Sequence, residues 1–259
     1  MMNKIIVNLN IPSTMRASYM GSVLHGALMD QFSDDLANIL HHESAYSPLK
    51  QRIYFDDNQQ LLWEIVSLSQ QLTQELLELF GKEKKLYLKR YKAFIDFTSF
   101  TVETIDIKEM MNQFLNEQEL SRFIKLRIHT PMSFKSNGTY TIFPDMNSFF
   151  RSIMMQFDTF FDAYQMYDYD TLQYLKNHIH IVDYRLKTTR FHLEKVKIPS
   201  FIGDITIKVN GPLPVLQLSH FLLYFGSFSG AGIKTSLGMG KYSIVESRVE
   251  QNSKKNKQS

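Results

Sequence analysis

The sequence predicts an α+β chain built from two tandem ferredoxin-like (βαββαβ) units. Three observations predict it. Segments of period-two apolar alternation and segments of helical apolar spacing recur twice in one order. A chain of 259 residues with 44% hydrophobic content suits two ordinary cores better than one. Five of the eleven glycines fall between Gly226 and Gly240, after the last helical segment and before the last strand-like one.

In the first unit, Ile5 to Leu9 alternates as a strand, and Tyr19 to about His41 is helical with a re-capping at Ser33-Asp34-Asp35. Arg52 to Phe55 and Leu61 to Val66 pair as strands around Asp56-Asp57-Asn58. Leu72 to Phe80 is a second helix with Gly81 as its stop, and Leu86 to Ile105 is β-rich. A short helical connection, Lys108 to Glu119, leads to the second unit. There Ile124 to His129 is a strand, and Asn137-Gly138 signals a hairpin before Tyr140 to Phe143. Met146 to Tyr164 spaces its apolar residues as a helix. His178 to Leu186 and Ile202 to Val209 alternate as strands, Leu216 to Phe225 is helical, and Tyr242 to Val245 is the last strand. The expected domains are therefore 1–119 and 120–249, followed by a disordered basic tail at 250–259.

Glycine permits positive φ and close approach of backbone to a ligand, and Lys234 and Lys241 add positive charge, so the loop reads as a phosphate cradle. It is neither a Walker loop nor a dinucleotide fingerprint, because both open a helix and this loop runs into a strand. The plainer alternative is a hairpin connection.

Composition narrows the class. With no cysteine, neither a disulfide framework nor a thiolate metal site is available. Met1 to Lys4 is followed by alternating Ile5 to Asn10 and no long apolar run occurs, so a cytoplasmic protein without membrane contact is expected. Charge is lopsided: from Lys176 onward there are 13 Lys/Arg against 5 Asp/Glu, whereas the first 175 residues carry 16 against 21. Arg185, Lys187, Arg190, Lys195, Lys197, Lys208, Lys234 and Lys241 lie within predicted elements, which fits a polyanion surface.

Of the eight histidines, His178 and His180 share a strand face, but no spacing supports a metal site, and no cofactor is expected. His129, His192 and His220 read as structural or surface residues. His41 and His42 end the first helical stretch, where cations complement the helix dipole; an imidazole there is also able to act as a general acid.

The pattern Gly230-x-Gly232-x5-Gly238-x-Gly240, between an apolar helix and a final strand, resembles the C-terminal signature of the CRISPR-associated RAMP proteins. More closely, the chain resembles the Cas six family, endoribonucleases that cut CRISPR precursor transcripts at each repeat. Leu24-His25-Gly26-Ala27, Leu36-Ala37-Asn38-Ile39-Leu40-His41 and Thr130-Pro131 extend the resemblance in order along most of the chain. It implies His41 as general acid, with adjacent His42 the competing choice. It places His25 where the family often has a tyrosine base, and it points to Lys50, expected in the loop after His41, as stabiliser of the phosphorane; a solvated loop lysine is the other reading. The implied reaction is metal-independent and leaves a 2′,3′-cyclic phosphate and a 5′-hydroxyl. The implied partner is CRISPR repeat RNA, contacted by Arg190, Lys234, Lys241 and the loop glycines Gly230, Gly232, Gly238 and Gly240. The likeness is greatest to members serving Csm-type (type III-A) systems, so a Csm-type effector complex is a further implied partner; no oligomeric state is implied. A non-catalytic RAMP subunit that binds CRISPR RNA in such a complex is the alternative, and a generic RNA-recognition module the third.

Overall fold

The computed structural model describes residues 1–12, 15, 17, 20–40, 46–193 and 196–245. His41, His42, Lys195 and the expected tail at 250–259 lie outside them.

The first unit begins with β1 (Met2–Asn10), whose Ile5, Val7 and Leu9 turn inward at alternate positions. Helix α1 (Met20–Met29) follows, then α2 (Asp34–Asn38), entered through Ser33, whose hydroxyl accepts from Leu36 N at 3.3 Å. Strands β2 (Leu49–Phe55) and β3 (Leu61–Ser67) form a hairpin. Ser69 caps α3 (Gln70–Lys82). Gly81 is not its stop: the helix runs through it to the cap at Glu83, because Leu72, Leu76, Leu79 and Phe80 remain packed on one face. The β-rich stretch after it is two strands, β4 (Lys85–Leu88) and β5 (Ala93–Ile105), joined by a turn in which Lys92 has φ 49°. The sheet order is β2-β3-β1-β5-β4, all neighbours antiparallel. Without the short edge strand β4, this is the ferredoxin-like arrangement.

Asp106 caps α4 (Ile107–Asn116), accepting from Lys108 N at 2.7 Å. The apolar face of α4, Ile107 and Met110, joins the hydrophobic cluster of the second unit. That unit contains β6 (Phe123–Met132), the hairpin β7 (Phe134–Ser136) and β8 (Thr139–Thr141), and α5 (Met146–Phe160). The hairpin turns on Asn137 and Gly138 at φ 48° and 79°, the paired positive values that an Asn-Gly turn supplies. Helix α6 (Tyr169–His178) was missed in the sequence because only Leu172 and Leu175 are buried, too few for a clear period. Strands β9 (Ile179–Leu193) and β10 (Val196–Val209) are much longer than their apolar alternation, since ladder hydrogen bonds carry the ribbon on through charged residues. Helix α7 (Leu213–Ser229) and β11 (Tyr242–Val245) complete it. The order β11-β6-β10-β9 repeats the first sheet's strand logic.

Two hydrophobic clusters result, one around Trp63, Phe80 and α1, the other around Phe149, Phe157 and Phe225. Adjacent residues of β3 divide between them: Ile65 faces the first cluster and Val66 the second. Part of the helix-free face of the first sheet is thus covered by the second unit.

Candidate functional site

That covered face decides where several predicted site residues point. Lys50 pairs with Val66 in register, so its side chain enters the seam between the units. It is only 3% exposed, and its ammonium donates to Gln156 Oε1 at 2.5 Å and Thr235 Oγ1 at 3.0 Å. Burial pushes its pKa down to about 7. Lys50 therefore stands in β2 and not in a loop, because strand pairing begins at Leu49 and the second unit closes over it.

Gln51, on the opposite face of β2, donates to Gly21 O at 3.1 Å and Ser236 O at 2.6 Å, while its carbonyl accepts from Trp63 Nε1 at 2.8 Å. One side chain thereby joins α1, the glycine loop and the first core.

Glu64 is 2% exposed and accepts from Arg52 Nε at 2.8 Å and from Lys241 Nζ. Burial alone would raise its pKa, but Lys241 and Arg52 outweigh it and hold the carboxyl below its ordinary range. Lys241, expected on RNA phosphate, is consequently committed to Glu64, with its side chain 12% exposed. An ion pair this deep costs heavily if one partner is lost, since a lone charge stays buried.

The glycine loop is packed on its own protein. Ala231 N donates to Gly240 O, Gly232 N to Ser152 Oγ, Ile233 N to Ser133 O and Gly240 N to Pro131 O, all at 3.0 Å. Lys241 N donates to Thr130 Oγ1 at 2.9 Å. Thr130-Pro131 and the glycine pattern are therefore two halves of one contact. These amides cannot also cradle a phosphate. Gly232 and Gly240 have φ 87° and 74°, and a Cβ on them would lie 2.4 Å from Ser133 O and 2.0 Å from Ala231 O. Gly240→Ala is accordingly expected to destabilise the protein by at least about 1–3 kcal/mol, read as a lowered denaturant midpoint. An unchanged midpoint would contradict the packing role. Lys234, at φ 56°, remains exposed at the outside of the loop.

Beside the seam runs a groove with a cavity of about 310 Å³. Gly21 of α1, Gly238 of the loop, Arg52 of β2, His129 of β6 and Arg190 and His192 of β9 line it. The structure thus brings Arg190 and Gly238 together, and sequence reasoning missed Arg52, His129 and His192 as their companions. No local signal could have found Arg52: it shares the Lys50 face of β2, and its partner there is the buried Glu64 of β3. His129 Nε2 lies 2.8 Å from Ser243 Oγ, and burial, with Arg52 and Lys241 nearby, pushes the imidazole down to about 4. It is neutral at physiological pH. His25, half-buried, stands on α1 one turn beyond Gly21. Among the described residues no group of three histidine or carboxylate side chains is placed to hold a metal ion, and no helix is long and apolar enough to cross a membrane.

The family model for the CRISPR-associated endoribonuclease Cas6 matches residues 126–242, the part containing most of β6, Arg190 and the whole glycine loop. The Cas6 endoribonuclease of Streptococcus thermophilus is 31% identical over 226 residues, covering 86% of this chain and 90% of that protein. That of Mycobacterium tuberculosis is 26% identical over 227 residues, covering 87% and 71%. In three dimensions, Thermus thermophilus Cas6 superposes with a TM-score of 0.72 at 18% identity, covering 95% of this chain and 98% of that one, so the fold is shared where little sequence is. With identity and fold extending along nearly its whole length, the chain belongs to the family of the CRISPR-associated endoribonuclease Cas6.

Proposed function

We propose that this endoribonuclease cleaves CRISPR precursor RNA within its repeats, without a metal ion, by attack of the RNA's own 2′-hydroxyl. The observation that carries the reading is the convergence on one groove of α1, the glycine loop and Arg190, so that the helix bearing His25 shares a wall with cationic strand residues. The 2′-oxygen bonds to phosphorus as the bond to the 5′-oxygen breaks. His25 takes the proton from the 2′-hydroxyl, and His41, or its neighbour His42, delivers one to the departing 5′-oxygen. Ordinary imidazole titrates near pKa 6.5, which suits both transfers near neutral pH, and such proton transfer contributes about 10²–10⁴-fold in rate.

Residues 1–119 supply the histidines, and residues 120–249 supply Arg190 and Lys234 for RNA phosphates. Gly230, Gly232, Gly238 and Gly240 act by shaping the loop that presents Lys234, and Lys241 acts through Glu64. A cytoplasmic setting and delivery of the product to a Csm-type effector complex complete the reading. Incubation with repeat RNA in excess EDTA tests it: cleavage is expected to continue and to yield 5′-hydroxyl and 2′,3′-cyclic phosphate ends. A requirement for metal with 5′-phosphate products would indicate a hydrolytic nuclease instead.

A further inference from the structure

The first unit is acidic in net charge, yet residues 82–92 carry six Lys/Arg and one Glu. The structure folds most of this run into the β4–β5 hairpin. Leu86, Leu88 and Ile95 point into the core, which sends Tyr87 and Phe94 outward as a cross-strand pair. Both rings are exposed, Tyr87 at 41% and Phe94 at 60%, and their centroids lie 5.1 Å apart. Lys85 precedes Tyr87 on the same face, opposite Asp96. Arg90 and Lys92 stand exposed in the turn, and neither has an ion-pair partner among the described residues. Lys89 in the same turn reaches back to Asp30 Oδ1 at 2.6 Å. That contact reaches Asp30, the residue just past α1, and a cavity of about 230 Å³ lies between Ser22 and Gly26 of α1 and Arg90.

We infer that the β4–β5 hairpin is a second RNA contact, taking unpaired nucleotides that flank the cut on the Tyr87–Phe94 rings with their phosphates on Arg90 and Lys92. The inference rests on the proposed RNA cleavage and adds the path of the strand. Charge complementarity selects a polyanion, since the only dense cationic run of an acidic unit surrounds these rings. Exposed aromatic rings, tilted 55° to one another, then select single-stranded RNA over a duplex, because only unstacked bases offer their faces. Position agrees: α1 borders the groove at Gly21 and the cavity beside Arg90 at Ser22 and Gly26, so a strand leaving the groove along α1 meets the hairpin next.

The test measures affinity for an uncleavable repeat RNA, with and without its single-stranded flanks. On the flanked RNA, Tyr87→Ala/Phe94→Ala is expected to weaken binding about 10-fold or more. Arg90→Ala/Lys92→Ala is expected to lower the log–log salt slope by about 1.4, about 0.7 for each lost contact. On RNA trimmed of its flanks all three proteins are expected to bind alike, and on cleavable RNA at saturating protein the variants are expected to cut within about two-fold of the wild-type rate. Thermal melting checks the fold, which exposed side chains leave intact. Unchanged affinity and slope on flanked RNA, equal losses on trimmed RNA, or loss of a protein partner with RNA binding intact would each overturn the inference. Failure of the wild-type protein to cut repeat RNA would instead sink the proposed function.

Discussion

A repeat RNA with a single 2′-deoxy nucleotide immediately upstream of the scissile phosphate is expected to resist cleavage altogether while still binding within a few-fold of the all-ribose RNA. The substitution deletes one oxygen, and in the proposed reaction that oxygen is the nucleophile. No rearrangement of His25 or His41 replaces it. Binding is expected to survive because, in the proposed reading, it rests on phosphates met by Arg190 and Lys234 and on unpaired bases, none of which the substitution removes. Cleavage of the deoxy RNA at even a tenth of the normal rate would mean that a water molecule attacks, and the assignment of His25 as base to the 2′-hydroxyl would fall with it.

His41→Ala is expected to slow single-turnover cleavage by about 10²-fold or more at saturating protein, with repeat affinity changed by no more than a few-fold. The loss falls on the chemical step because a general acid interacts more strongly with the transition state, where charge builds on the departing oxygen, than with bound RNA. His42→Ala, measured beside it, separates the neighbours: the acid is the one whose removal slows the step. Wild-type cleavage by both variants would remove this pair from the mechanism. An RNA whose 5′-oxygen is replaced by sulfur sharpens the test, since a thiolate leaves without a proton and is expected to restore most of the lost rate.

Lys50 shows how a sequence assignment fails. It lies close after the histidines in sequence, and nothing local distinguishes a loop lysine from a strand lysine at residue 50. What removes it from solvent are Gln156 and Thr235, which are 106 and 185 residues away. Lys241 is similar, drawn inward by Glu64 at a separation of 177. At the glycine loop positive φ and close backbone approach are both present, and the approached backbone is the protein's own, at Pro131 and Ser133.

The sequence by itself determined the α+β class, the two βαββαβ units, the Asn137-Gly138 turn and the position of the glycine loop. Each is written in periodicity or turn chemistry acting over a few residues, and the resemblance to repeat-cleaving endoribonucleases followed from motifs of the same short range. Tertiary structure alone decided which cations face solvent, which loop amides are already occupied, and that Arg52, His129 and Arg190 share a groove with α1. Those outcomes depend on the second unit packing against the open face of the first sheet. Burial, desolvation and pairing across such a seam are properties of contacts between distant segments, and they leave no periodic trace in either segment.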